Sequence, residues 1–484
     1  MSMLHCSHLW YRPSRTDEYI FRAFDLRLDL EQRTVLVGES GTGKTTLGLL
    51  LAGALSPAKG RIFLGDTPIE HSTLRVGFLR QNPEHQLIGA TVERDVAYGL
   101  ENEGVKPDIT HRKVRDALRF FGLDAYRNTE IAKLAGGEKQ KTGLAGLLAM
   151  NCDYLILDEP TSFLDYPMQT ELYEFMEKVH SRGIGFLWIT QYPEEQVIGD
   201  RVLELGWNDI KKDAAPGGYQ STELTGHVSQ GNGRRSGASA DVILSAEALR
   251  FQYPSHGDGE PFLLSAENYT LHHGEIQGWY GYSGSGKSTF ARIISRILPE
   301  TEGKLHTAAE PDDIVYIPQF AEQLLHTGTL NETILVLRER KAFQEEEYRE
   351  RLIEQLIALG IDREEPFSRP VWTFSGGEQR RIVLAVGAAL TPELIIFDEP
   401  TIGIGPGDRD KIKRLFHSKT LSTIICISHE YEFLKAMTER GVYFSNGNVS
   451  SPMDWQDLER TYEYQTARFF QHHELDLSAQ MRMS

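Results

Sequence analysis

The sequence has little cysteine, no long apolar run and no surplus of positive charge. Its three cysteines, Cys6, Cys152 and Cys426, are far apart and form no C-x-x-C pair. That spacing excludes a disulfide framework and a zinc-binding pair, and it fits a reducing compartment. No uninterrupted apolar stretch approaches the roughly 18 residues of a membrane-spanning helix. The richest, Val383 to Phe397, is broken by Thr391-Pro392-Glu393. Met1 to Trp10 lacks a basic stretch followed by an apolar one, so no signal peptide is expected. With 69 acidic against 51 basic side chains the formal net charge is −18. Such a surface is not built for nucleic-acid phosphates, and no nucleic-acid partner is expected.

What the chain does have is length, 484 residues, enough for two or three domains that each bury a core. It also has Gly38-Glu39-Ser40-Gly41-Thr42-Gly43-Lys44-Thr45, a full G-x-x-x-x-G-K-[ST] loop. The loop stands between an apolar β-branched run (Thr34 to Val37) and a helix former (Thr46 to Ala52). Glycines let successive N–H groups turn inward on phosphate oxygens, and the following helix adds its positive end. Lys44 is placed to reach the β- and γ-phosphates, and the Thr45 hydroxyl to hold Mg²⁺. Gly281-Tyr282-Ser283-Gly284-Ser285-Gly286-Lys287-Ser288-Thr289 repeats the arrangement, Lys287 lying 243 residues (287 − 44) after Lys44.

Further landmarks recur in the same order. A strand runs out at Gln81 in the first half and at Gln319 in the second. Helical patterning comes next, from Thr91 to Leu134 and from Leu330 to Gly360. Then Ala135-Gly136-Gly137-Glu138 opens a helix expected to run from Lys139 to Met150, and Ser375-Gly376-Gly377-Glu378 opens its counterpart. Buried-strand runs end in Asp158-Glu159-Pro160 and Asp398-Glu399-Pro400, and later ones in Gln191 and His429. The chain is a tandem duplication. The boundaries expected are a first domain over 1–207, a flexible Gly/Ser/Ala-rich linker over 208–241, a second domain over 242–449 and a tail over 450–484. Met453 to His472 has amphipathic spacing and is expected to pack as a helix on its own domain.

This set resembles the ATP-binding cassette (ABC) ATPase domain, present twice. The resemblance implies a fold of the α/β class: two P-loop domains, each with a parallel-sheet core and a helical subdomain. It also implies that the two domains of one chain pair head to tail, with ATP and Mg²⁺ between the phosphate loop of one and the Gly-Gly signature of the other. On that resemblance Tyr11 and Tyr253 stack on adenine, and Gly38, Ser40, Gly41, Gly43, Lys44, Thr45 and Thr46 hold phosphate. Gly281, Ser283, Gly284, Gly286, Lys287, Ser288 and Thr289 do the same in the second half. Thr45 with Asp158, and Ser288 with Asp398, hold Mg²⁺, with Gln81 and Gln319 sensing the γ-phosphate beside it. Glu159 and Glu399 polarise the attacking water; His429 and Gln191 occupy the switch position. Ala135, Gly136, Gly137 and Glu138, with Asp165, and Ser375, Gly376, Gly377 and Glu378 complete the nucleotide contacts.

The stretch from Gln81 to Asn102 is similar to the ATPase subunits of energy-coupling factor (ECF) transporters, importers of vitamins and transition-metal ions. That similarity implies a membrane-embedded T component, a substrate-binding S component, and a peripheral place on the cytoplasmic face of the cell membrane. The alternatives are the ATPase of a sugar- or peptide-type ABC importer with other permease subunits, and a soluble translation-associated ABC ATPase. The halves also differ. Gln191 replaces the usual switch histidine, Ala135 the signature serine, and Gly405 the aspartate that Asp165 represents. A lost signature hydroxyl removes one hydrogen bond, about 1.5–3 kcal/mol, whereas a lost histidine touches the transition state. The site containing Glu399 and His429 is therefore expected to do most of the hydrolysis.

Overall fold

The structure is a computed structural model and describes residues 3–13, 18–39, 41–134, 136–162, 164–215, 241–253, 262–321, 325, 328–340, 343–362, 365–405, 408–417 and 423–461. The chain divides into two units, 1–222 and 223–484. Ser40, Ala135, most of the expected linker and the tail from Tyr462 lie outside the described residues.

In the first unit a parallel sheet carries the chemistry. Its order is Ile210–Ala214, Arg201–Leu205, Arg33–Val37, Phe186–Ile189, Tyr154–Asp158, Val76–Leu79, all parallel except the Ile210–Ala214 edge. Tyr154–Asp158 and Phe186–Ile189 are buried throughout, as strands covered on both faces must be, and they read as unbroken apolar runs. A second, antiparallel sheet (Phe21–Asp29, Met3–Tyr11, Lys59–Leu64, Thr67–Pro68) shares one core with it. Leu47, Leu50 and Leu51 of the helix Lys44–Leu51 fill that core. Each such fully buried leucine contributes about 2 kcal/mol of transfer free energy. The phosphate-loop helix is thus fixed from two sides. Three helices, Val92–Asn102, Pro107–Phe120 and Gly136–Ala149, form the helical part.

The second unit joins the same elements into one nine-stranded sheet. Its order is Glu302–Thr307, Val242–Gln252, Leu263–His272, Asn448–Val449, Arg440–Ser445, Ile276–Tyr280, Thr423–Ser428, Leu394–Asp398, Ile314–Ile317. The join is Asn448–Val449, which pairs with Leu263–His272 on one side and Arg440–Ser445 on the other. Helices Leu330–Arg340, Glu345–Ala358 and Gly376–Ala389 repeat the helical part.

Two expected boundaries move. Ile210–Ala214, read as linker, is a strand antiparallel to Arg201–Leu205, fastened by Arg201 Nη2 on Asp213 Oδ2 at 2.6 Å. At the other end the fold runs past 449. Trp455 opens the helix Trp455–Thr461, is buried beside Tyr431, and donates Nε1–H to the Thr438 carbonyl at 3.1 Å. Among the described residues no helix is long and apolar enough to cross a membrane.

Candidate nucleotide sites

In each half the phosphate loop leaves a central parallel strand and turns into a helix whose first residue is the lysine. The turn needs positive φ at its last glycine, +93° at Gly43 and +107° at Gly286. Space is equally tight: a Cβ on Gly43 would lie 2.8 Å from Ile20 Cγ2, and one on Gly38 2.6 Å from the Leu205 carbonyl oxygen. Lys44 Nζ donates to the carbonyls of Gly38 and Glu39, each at 2.8 Å. Lys287 Nζ donates to Gly281 at 2.6 Å and Tyr282 at 2.8 Å. Burial pushes the Lys44 ammonium below its ordinary range, against the pull of Glu159, Asp158 and Glu39.

The strand-end acids face these loops. Thr45 hydrogen-bonds Asp158, and Ser288 hydrogen-bonds Asp398. Burial raises Asp158 to about 6, opposed by Thr45 and Lys44, and raises Asp398 likewise. A hydroxyl beside a carboxylate is a hard-oxygen donor pair that fits Mg²⁺ bound also to substrate phosphates. Among the described residues no group of three or more His, Cys, Asp or Glu is placed to hold a metal ion.

The next residue is held in a conformation that side chains other than glycine rarely adopt. Glu159 has φ +44° and Glu399 +51°, a strain of about 1–2 kcal/mol each. Each is pinned from the neighbouring strand, Glu159 N–H on the Ile189 carbonyl at 2.8 Å and Glu399 N–H on Ile427 at 2.9 Å. Their surroundings then diverge. Glu159 Oε2 accepts from Gln81 Nε2 at 2.7 Å, Gln191 Nε2 at 3.0 Å and Ser162 Oγ at 3.0 Å. Burial and the adjacent Asp158 raise its pKa to about 7, over the opposition of Lys44 and the hydrogen bonds from Ser162 and Gln191. Glu399 Oε1 lies 3.0 Å from His429 Nδ1, and its Oε2 accepts from Ser428 Oγ at 3.1 Å. Burial works to raise Glu399, but the charge and hydrogen bond of His429, with Lys287 and Ser428, together outweigh it and hold the carboxyl below its ordinary value. Burial works to lower His429, and the charge and hydrogen bond of Glu399 together with the Glu430 charge outweigh it and raise its pKa.

The remaining expected residues fall as follows. Tyr11 ends the strand Met3–Tyr11, half-buried. Tyr253 OH is 3.3 Å from Thr289 Oγ1. Gly41 and Gly284 have φ +86° and +75°, Gly281 has +156°, and Ser283 is exposed. Thr46 is half-buried in the loop helix, and Gln319 is half-buried after Ile314–Ile317. Ser375 caps Gly376–Ala389 with a reciprocal bond to Glu378, whose carboxylate accepts Ser375 N–H at 2.9 Å. Glu138 instead meets the Tyr126 hydroxyl. Gly136 and Gly137 open their helix. Asp165 is buried and caps the helix Tyr166–His180 through Met168 N–H at 3.2 Å. Missed from the sequence were Ser162 and Ser428, bonded to the glutamates, and Arg380. The Arg380 guanidinium donates to the carbonyls of Pro318, Asp398 and Glu399 at 3.0, 2.7 and 2.9 Å.

A duplicated Walker-type site on a parallel sheet with a helical insert defines an ABC cassette, and the comparisons agree. The family model described as "ABC transporter" matches residues 21–162 and again 264–402. The chain belongs to that family: it is an ABC transporter ATP-binding component with two cassettes in tandem, of the ATP-hydrolysing kind. It is 27% identical to an ABC transporter ATP-binding protein of Bifidobacterium longum, over 85% of this chain and 61% of that protein, so it spans about three-fifths of that relative. It is 34% identical to the energy-coupling factor transporter ATP-binding protein EcfA1 of Listeria monocytogenes, over 44% of this chain and 79% of that one. One chain of the solved assembly of ribosome-bound archaeal Pelota and ABCE1 matches with a TM-score of 0.64 at 19% identity, over 91% of this chain and 82% of that one. At that identity the likeness is one of fold.

Proposed function

We propose that this chain powers an ECF-type importer, hydrolysing ATP beneath a membrane-embedded T component that works with a substrate-binding S component. The observation that carries the reading is the bond from Gln81 to Glu159, together with the stretch of chain that begins at Gln81. Residues 81–102 resemble the ECF ATPases and lead into a cleft of about 610 Å³ between the helices Val92–Asn102 and Pro107–Phe120. The cleft is lined by Glu93, Arg94, Glu101 and His111, with Tyr98 46% exposed at its edge. In this reading a membrane partner seated there acts on the same stretch of chain, 81–102, that carries Gln81, a donor to Glu159.

Within each half the roles follow from the geometry. Lys44 and Lys287 give up carbonyl partners for phosphate oxygens. Thr45 with Asp158, and Ser288 with Asp398, would hold Mg²⁺, which when bound supplies charge neutralisation on the transferring phosphoryl group. Glu159 and Glu399 orient and polarise water, each held at a strained backbone that aims the carboxylate. Tyr11 and Tyr253 take adenine, and the Gly136 and Ser375 helix starts offer backbone donors to nucleotide. Pairing of the two cassettes of one chain is favoured by the effective concentration a tether provides.

The test is a detergent pull-down of the intact chain from its own host, with partners identified by mass spectrometry and ATPase activity measured on the recovered complex. A small integral membrane protein that stimulates hydrolysis supports the importer. Recovery of ribosomal proteins without a membrane partner would overturn transport and favour a translation-associated ATPase; a larger permease pair would favour a sugar- or peptide-type system.

A further inference from the structure

The two halves do not hold their strand-end aspartates alike. In the second, the Tyr316 hydroxyl donates to Asp398 Oδ2 at 2.8 Å. Asp398 is 2% exposed and also hydrogen-bonded to Ser288. Arg292, on the phosphate-loop helix Lys287–Ile294, hydrogen-bonds the same tyrosine. Tyr316 stands three residues before Gln319; three before Gln81 stands Phe78. The counterpart of Arg292, five residues after the loop lysine, is Leu49. Both rings pack at the edge of their unit's core, Tyr316 in the second and Phe78 in the first. In the first half the ring carries no hydroxyl, so Asp158 has no such donor from this position.

We propose that Tyr316 is a positioning residue for Asp398, and that it gives the second half a stronger hold on the nucleotide's divalent cation than the first. The inference rests on the reading that Asp158 and Asp398 hold that cation. An aspartate's terminal torsion is broad and twofold, so a carboxylate with few partners must be ordered when a cation arrives. A donor on one oxygen fixes its plane beforehand, and partners of this kind behind a metal ligand are typically worth about 10–100-fold in metal affinity. The phenol does this as a neutral group and brings no positive charge to compete with the cation. Arg292 in turn holds the phenol.

The test uses the full chain, Mn²⁺ as the cation and the non-hydrolysable analogue AMP-PNP. A Lys44→Ala background confines binding to the second loop, and electron paramagnetic resonance reads free Mn²⁺. Tyr316→Phe should raise the Mn²⁺ concentration for half-saturation about tenfold and leave AMP-PNP binding in EDTA unchanged. In a Lys287→Ala background the reciprocal Phe78→Tyr should lower it. Unchanged half-saturation in both swaps overturns the proposal. So does an equal loss of AMP-PNP binding with and without Mn²⁺, which would mean general damage to the pocket. Should the parent chain bind no AMP-PNP under any condition, the nucleotide-site reading itself fails, an outcome distinct from either.

Discussion

His429 Nδ1 stands 3.0 Å from the buried Glu399 Oε1, whereas the corresponding Glu159 accepts, among the described residues, hydrogen bonds from the neutral donors Gln81, Gln191 and Ser162. The second half therefore sets its glutamate beside an imidazole that can also hold phosphate, a group the first half lacks at Gln191. A positioned general base is worth about 10²–10⁴-fold in rate. Glu399→Gln should lower single-turnover ATP hydrolysis by about 10²-fold or more, and Glu159→Gln by only about threefold. Equal losses in the two variants would sink this division of labour.

Gly43 has φ +93° and almost no room for a side chain, since Ile20 Cγ2 would lie 2.8 Å from its Cβ. Alanine there must both enter the left-handed region and displace Ile20, which packs at the core that fixes the loop helix. A non-glycine residue at incompatible φ costs more than about 1 kcal/mol, and steric overlap adds to it. Gly43→Ala should weaken nucleotide binding by the first half at least tenfold, read by equilibrium binding in a Lys287→Ala background. Retention of affinity within twofold would show that the loop adapts.

Much of this was legible in the sequence because it is local. The loops, the strands leading to Asp158 and Asp398 and the Gly-Gly helix starts each declare themselves within ten residues, and duplication let every landmark be read twice. What depends on neighbours was not legible. Tyr316 reaches Asp398 because Ile314–Ile317 pairs in parallel with Leu394–Asp398 in a particular register, which no local pattern specifies. The positive φ of Glu159 and Glu399 is imposed by bonds to Ile189 and Ile427, against the preference of glutamate itself. Ile210–Ala214 (Ile-Lys-Lys-Asp-Ala) has little strand propensity; it is a strand because it pairs with Arg201–Leu205. Trp455 lies on the helix that the amphipathic spacing expects to pack on its own domain; what that spacing does not specify is that Gly278 and Gly441 leave the space its ring fills.

All three thiols are buried, Cys6 2%, Cys152 6% and Cys426 0% exposed. Burial raises Cys6 and Cys152 to about 12, and raises Cys426 as well. The thiolate is the reactive form, and at pH 8 only about one part in 10⁴ of a thiol of that pKa is ionised. The native protein should be inert to a thiol-specific disulfide reagent at pH 8, and three equivalents should react after denaturation. Fast reaction of any thiol in the folded chain would contradict this packing.

Glu195 is a buried acid outside the nucleotide sites. It accepts from Trp188 Nε1 at 2.9 Å, from Tyr173 OH at 3.1 Å and from the Thr161 hydroxyl, so it ties the segment after Glu159 to the segment after Gln191. Burial raises its pKa above the ordinary 4.5, and the bonds from Thr161, Thr190, Trp188 and Tyr173 only partly offset the rise. The sign is fixed by linkage: the folded state binds the proton more tightly than the unfolded chain, so folding stability falls as pH rises from about 4.5 through the raised value, then levels. Glutamine carries no titrating proton and lacks that decline. Thermal melts of wild type and Glu195→Gln between pH 4.5 and 8 should show the stability difference moving in the variant's favour as pH rises. A pH-independent difference would mean that Glu195 ionises in the fold as it does in the unfolded chain.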